Sequence, residues 1–302
     1  MTVEAQAPPV ATSRATVHRS PRQLAWRRFQ RNKLAVIGAA VLILVALAAL
    51  LAPWIARHSP TAVDLTQFRQ PPSAEHWLGT DSAGRDVFAR LLHAGRISLF
   101  VGLLASVLAI ALGTVLGALA GLVGGWIDMA VMRSADIVLA FPSLVVIVVL
   151  AGVIGPSVTV LVLAIAAFEW PTSARVVRAV TLSLREREYL QAAKSVGASR
   201  WWLIRQHIIP AALPPVVVVG TVTVASAVLL EAALSFLGLG VPPPQSSWGN
   251  MLNDAQNLTI VETMPWLWLP PGIAVALTVL AVNFVGDGLR DAVDPRQRTA
   301  AG

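Results

Sequence analysis

Cysteine is absent from the 302-residue sequence, and with it go disulfides, thiolate metal sites, iron–sulfur clusters and cysteine nucleophiles. The same absence leaves the redox compartment unread. Charge is scarce: Asp, Glu, Lys and Arg make up 13% of the residues, where a soluble domain carries about 25%. Lysine occurs only at Lys33 and Lys194. A phosphate-binding P-loop needs Gly-Lys followed by Ser or Thr, with a second glycine upstream. Lys33 is followed by Leu34, while Lys194 has Ala193 before it and Glu188 where the upstream glycine belongs, so the chain has no Walker site with which to hydrolyse ATP. The histidines, His18, His58, His76, His93 and His207, show no HExxH-like ligand spacing, and no metal centre is expected. No Gly-x-Ser-x-Gly elbow occurs either. Catalytic, cofactor and metal residues are all expected to be absent.

What is present is apolar. Hydrophobic residues make up 56% of the chain and the mean hydropathy is +0.68, which excludes disorder. Charge-free runs cover Leu34–Ala56, Ile97–Ile127, Ile137–Phe168, Ile208–Leu230 and Thr263–Gly286. About 20 apolar residues in a helix cross a bilayer core, and Gly152, Gly155 and Pro156 divide the third run by a helix stop and turn. Six spans follow, at 34–56, 97–124, 128–152, 157–180, 209–236 and 266–288. The fold class is therefore all-α and integral to a membrane. The first run is too long for the apolar region of a cleaved signal peptide, about 7–15 residues.

The net charge of +7 lies between the apolar runs, which does not suit a nucleic-acid binder. Arg14, Arg19, Arg22, Arg27, Arg28, Arg31 and Lys33 precede the first span. Arg175, Arg178, Arg185, Arg187, Lys194, Arg200 and Arg205 lie between the fourth and fifth, and Arg290, Arg296 and Arg298 follow the last. The positive-inside rule puts these segments and both termini in the cytoplasm. The expected organisation is a basic leader 1–33, a first span 34–56, an extracytoplasmic loop 57–96, a transmembrane domain 97–290 with a cytoplasmic loop 185–207, and a tail 291–302. Arg27 to Lys33 sets orientation, with anionic lipid as its alternative partner. Trp54, Trp126, Trp266 and Trp268 fall at span boundaries, as in an aromatic belt.

Gly113, Gly117, Gly121 and Gly125 recur every fourth residue in and after span two, a small-residue face for close helix packing against a partner the sequence leaves open. Pro142 should bend span three. Among charges at membrane depth, Arg133 and Asp136 sit one helical turn apart and are expected to pair, and Glu169 lies mid-span with no local cation. Asp136, Pro142 and Glu169 are candidate pathway residues, against an ordinary structural role for each. Glu231 is expected near the outer end of span five, within reach of water.

The cytoplasmic loop reads Arg185-Glu186-Arg187-Glu188-Tyr189-Leu190-Gln191-Ala192-Ala193-Lys194-Ser195-Val196-Gly197, then Ala198-Ser199-Arg200-Trp201-Trp202 and on to Ile208-Ile209-Pro210. The spacing predicts a helix ended by Gly197 and a second helix capped by Ser199. Ala192 and Ala193 leave one face nearly bare. These residues resemble the EAA loop of ABC importer permeases, Glu-Ala-Ala-x-x-x-Gly with a later Ile-x-Pro. Ala192, Ala193, Gly197, Ile208 and Pro210 match, and Gln191 stands in place of the Glu. Leu78-Gly79-Thr80-Asp81-Ser82-Ala83-Gly84-Arg85-Asp86-Val87, Leu234 to Val241 with Trp248-Gly249-Asn250, and Asp287-Gly288-Leu289-Arg290-Asp291 with Asp294-Pro295-Arg296 are similar to the dipeptide, oligopeptide and nickel class, specifically its second permease.

The resemblance implies the type I importer fold and a second homologous permease as partner. It also implies ATP-binding subunits that carry the ATP and Mg, and an extracytoplasmic substrate-binding protein. Glu188, Gln191, Ala192, Ala193, Gly197, Ile208 and Pro210 would couple to the ATPase, and peptides lead as substrate. Two other readings stand beside it: a proton-coupled carrier using Glu169 and Asp136, and a membrane scaffold that recruits a partner through residues 185–207.

Overall fold

The computed structural model describes residues 21–293. The leader 1–20 and the tail residues Asp294, Pro295, Arg296 and Arg298 lie outside them. The described chain is helical apart from loops and one isolated bridge, Thr80 to Asp86. Helices α1 (Pro21–Arg31), α2 (Lys33–Leu50) and α3 (Ala52–Ile55) precede a long loop. After it come α4 (Val87–Val123), α5 (Gly125–Ala140), α6 (Ser143–Ile154), α7 (Val158–Arg185), α8 (Glu188–Ser195) and α9 (Arg200–Leu203). A π-helical turn, Ile204–Ile208, leads into α10 (Ile209–Phe236), followed by α11 (Trp248–Asp254), α12 (Leu258–Thr263) and α13 (Pro265–Val293). Side-chain caps set several starts: Asn32 accepts from the Ala35 N–H (3.2 Å), Asp86 from Ala89 (2.6 Å) and Ser157 from Val160 (3.1 Å).

Among the described residues, five helical segments are long and apolar enough to cross a membrane, and α5 with α6 makes a sixth crossing if taken as one broken span. Packing favours that reading. Gly113 faces Trp170 and Ser173, Gly117 faces Ala174 and Gly121 faces Thr181. α4 and α7 therefore run parallel, and α5–α6 is the return between them. α10 runs antiparallel to α4, with Gly102 against Val228 and Gly220 against Ile110. At the periphery α2 and α13 pair, joined by Gly38 on Ala281 and by Asn32, whose Nδ2 donates to Asp291 (3.2 Å). The start of α2, the end of α13 and the α8–α9 loop consequently share one face of the bundle.

Two expectations change here. The helix that carries span two begins at Val87, ten residues ahead of the expected crossing, because Arg90 is buried against acidic partners and does not stop the helix. The predicted bend at Pro142 is a full break: α5 ends at Ala140, Pro142 caps α6, and the two axes meet at 86°. A proline without an N–H, which also pushes the preceding Phe141 into extended backbone, ends one helix and starts the next.

The core divides along the bundle. Val101, Ile147, Ile165, Ala227 and Leu234 fill the middle. Val87, Trp248, Met251, Ile260 and Leu267 close one end, and Leu190, Leu203, Ile204 and Ile208 close the other against Ala118, Leu122 and Val177.

Candidate functional site

The α8–α9 loop is a small amphipathic unit set on the end of the bundle. Leu190, Leu203, Ile204 and Ile208 are its roots, each no more than 1% exposed. Glu188 opens α8, and Gln191 and Ala192 point to solvent with Ala193 half-buried beside them. Gly197 ends α8 at φ +89°, with its N–H on the Lys194 carbonyl (3.0 Å) and the Ala198 N–H on the Ala193 carbonyl (3.0 Å), a Schellman arrangement. Among the described residues, no atom beyond its chain neighbours lies within 4 Å of where a Gly197 side chain would start. Ser199 caps α9 by accepting from the Trp202 N–H (3.2 Å), and Pro210 sits in the first turn of α10.

An aromatic group beside this unit went unread in the sequence: Tyr189 and Trp202 both pack on His207, with ring centres 5.6 and 5.1 Å apart. Val196 is 90% exposed and Trp201 is 59% exposed next to them. Residues 189, 202 and 207 are too far apart in sequence for periodicity to group them.

Charged side chains also brace the helices from which the loop emerges. Arg178 donates to both oxygens of Asp128 (2.5 and 2.6 Å), joining α7 to α5. Arg185 donates to the Gly121 carbonyl (3.3 Å), joining the end of α7 to α4.

The glycine row is shorter than its spacing suggested. Gly113, Gly117 and Gly121 pack on α7 of the same chain, whereas a side chain at Gly125 would meet nothing within 4 Å among the described residues. α4 stops at Val123, so Gly125 starts another helix in another direction. Asp136 pairs with Arg175 (2.7 Å) more closely than with Arg133 (3.9 Å). Glu169 is half-buried and makes no hydrogen bond or ion pair to any described residue. Asp136, Pro142 and Glu169 lie on α5, at the α5–α6 break and on α7, without forming one cluster. Glu231, expected near water, is fully buried: Ser235 donates to its Oε1 (2.8 Å), and its Oε2 has no partner among the described residues. The α11 segment folds over the end of α10 and removes the water that position alone suggested.

At the opposite end of the bundle an ion network seals the loop between α3 and α4. Asp81 receives Arg90 and Arg85 (2.8 Å), and Arg90 also donates to Asp254 of α11 (2.8 Å). Burial alone would raise the Asp81 carboxyl, but Arg90, the Ala83 and Arg85 N–H groups and the Arg85 guanidinium hold it below the ordinary carboxylate range.

Residues 113–299 match the family of binding-protein-dependent transport system inner membrane components, and residues 20–72 match the N-terminal TM domain of oligopeptide transport permease C. A Brucella suis biovar 1 protein, provisionally described as a peptide permease, is 46% identical over 269 residues, 89% of each chain. The chain belongs to this family. The dipeptide transport system permease protein DppC of Alkalihalophilus pseudofirmus is 40% identical over 99% of this chain and 97% of its own length. Among solved structures, a chain of the MetNI methionine ABC transporter in an inward-facing conformation superposes at a TM-score of 0.52 with 19% identity, covering 68% of this chain and 96% of that one. At that identity the likeness is one of fold, and it establishes the MetI-like permease architecture.

The permease is thus a multi-pass membrane transport component rather than an enzyme, as its relatives are. Its resemblance to the second permease of the dipeptide and oligopeptide class is carried by the match over residues 20–72 and by the similarity to DppC along nearly the whole chain.

Proposed function

We propose that this permease, paired with a second homologous permease, forms the pathway of an ATP-driven importer of dipeptides or oligopeptides. The α8–α9 unit is its contact with a separate ATPase. The observation that carries the coupling role is the construction of that unit: a bare outer surface at Gln191, Ala192 and Gly197 over roots that are nearly inaccessible to solvent. A push on the surface passes through Leu190, Ile204 and Ile208 into Val177 of α7 and Ala118 of α4. The names of the relatives support peptides as cargo. In this reading the cation-rich face holding α1, the α8–α9 loop and the end of α13 is cytoplasmic. The loop 56–86 and residues 237–264 then face an external binding protein, and alternating access follows from ATP-driven movement of the two permeases. ATP and Mg belong to the partner subunits.

The proton-coupled alternative rests on Glu169 and Asp136, of which Asp136 is paired with Arg175. The test exploits the cysteine-free sequence. A single Ala192→Cys, treated with a short bifunctional thiol–amine reagent in native membranes, should cross-link to a Walker-motif ATPase, while Val153→Cys on α6 should not. Absence of an ATPase adduct from Ala192→Cys, or peptide uptake that follows a proton gradient and ignores ATP, overturns the reading.

A further inference from the structure

The histidines carry no metal motif in the linear sequence, yet the fold gathers two of them around one carboxylate. His58 follows α3, His76 lies later in the same loop, and Asp86 caps α4. Their nearest ligand atoms all lie within 4.8 Å of one another. We propose that His58 Nδ1, His76 Nδ1 and Asp86 Oδ2 form a binding site for a divalent transition-metal ion, with zinc the best fit.

The hydrogen bonds around the cluster orient it for that purpose. Asp86 Oδ1 accepts from the Ala89 N–H (2.6 Å), which leaves Oδ2 turned to His76 Nδ1 (2.8 Å) and His58 Nδ1 (3.6 Å). The other nitrogen of His76 bonds to Gln67 Oε1. An amide oxygen only accepts, so Nε2 turns its N–H to Gln67, and Nδ1 is the nitrogen that faces Asp86, where it holds either a proton or a metal ion. A metal ion bound there would replace the proton on Nδ1. Metal-bound histidines characteristically fix their second N–H on a carbonyl or carboxylate, and Gln67 supplies that support.

Dimensions agree. Zinc bonds to nitrogen and oxygen of about 2.0–2.2 Å in a tetrahedron place ligand atoms about 3.3–3.6 Å apart. The His58–Asp86 separation of 3.6 Å already matches, and the His76–Asp86 pair needs to open by about half an ångström. A small cavity of about 10 Å³ beside His58 and Asp86 is also bordered by Glu75, Trp77 and Arg57. That is room for about one water as the fourth ligand. Arg57, the one cation on that cavity, is drawn over the Trp77 ring (4.8 Å), and Glu75 adds a second carboxylate. Two imidazoles and one carboxylate select zinc or a similar transition metal over magnesium or calcium, which take oxygen ligands. The His76 and Asp86 side chains are only 9% and 5% exposed, while His58 is 36% exposed and gives the ion a way in. Bound there, the ion would pin the loop from residue 58 onward to the first turn of α4.

The test uses the full chain, purified in detergent with any affinity tag removed and titrated with zinc against a chromophoric chelator. One zinc per chain is expected. His58→Ala, at a half-exposed position that leaves the fold intact by gel filtration, should weaken binding by at least about tenfold. His207→Ala should bind like the parent, and cobalt in the parent should show the visible absorption of a four-coordinate site. Failure to bind one equivalent of zinc, or equal binding by the parent and His58→Ala, overturns the proposal and leaves the cluster a His76–Asp86 ion pair.

Discussion

Replacing Gly117 tests the seam between α4 and α7 most directly. A β-carbon there would stand 2.3 Å from the Ala174 carbonyl oxygen and 3.0 Å from its carbonyl carbon and Cα, where ordinary contact begins near 3.4 Å. The obstacle is backbone and cannot rotate aside. Relief requires the two helices to part by about 1 Å, a gap that forfeits roughly a quarter to a half of the dispersion energy along the contact. Forced overpacking of this kind costs about 1–3 kcal/mol, and Gly117→Leu should exceed Gly117→Ala. Yield of monodisperse protein and the thermal midpoint in detergent measure it, with Gly152→Leu as the control because nothing lies within 4 Å of Gly152. If Gly117→Leu keeps the parent's midpoint, or loses no more than Gly152→Leu, then α4 and α7 do not meet at this face.

Gly197→Asp should express and insert normally, since its surroundings are open, at a left-handed backbone cost of about 1–2 kcal/mol. It should abolish ATP-driven peptide uptake, and normal uptake by that variant would remove the coupling role. Arg90→Met strips the buried Asp81 of its deepest cation and should destabilise the chain by about 3–5 kcal/mol in an unfolding titration. Because the folded Asp81 carboxyl lies below its unfolded value, its contribution is complete above about pH 4 and fades as the pH falls through the folded pKa. The thermal midpoint should therefore drop on acidification below pH about 4, with a smaller drop in Asp81→Asn.

The bundle was legible because each crossing is a long apolar run bounded by charge, and the α8–α9 unit because Gly197 and Ser199 are local stop and start signals. What escaped depended on distant partners. Arg90 looked like a loop residue until Asp81 and Asp254 were folded against it. Glu231 looked wet until α11 covered it. Gly125 continued a period of four that the chain itself does not continue past Gly124. The alternation Asp81, Arg85, Asp86, Arg90 was the readable sign of the ion network, since Asp86 sits where a helix cap belongs and Arg90 one turn beyond.

The 37 residues of α4 amount to a rod about 55 Å long at 1.5 Å per residue, against a hydrocarbon thickness of about 30 Å. One extremity holds Arg90 in the ion network, and the other offers the Gly121 carbonyl to Arg185 just ahead of the α8–α9 unit. No proline or break intervenes. Whatever docks at either aqueous surface therefore grips the same stiff body, and displacement at one extremity has no joint along α4 in which to dissipate.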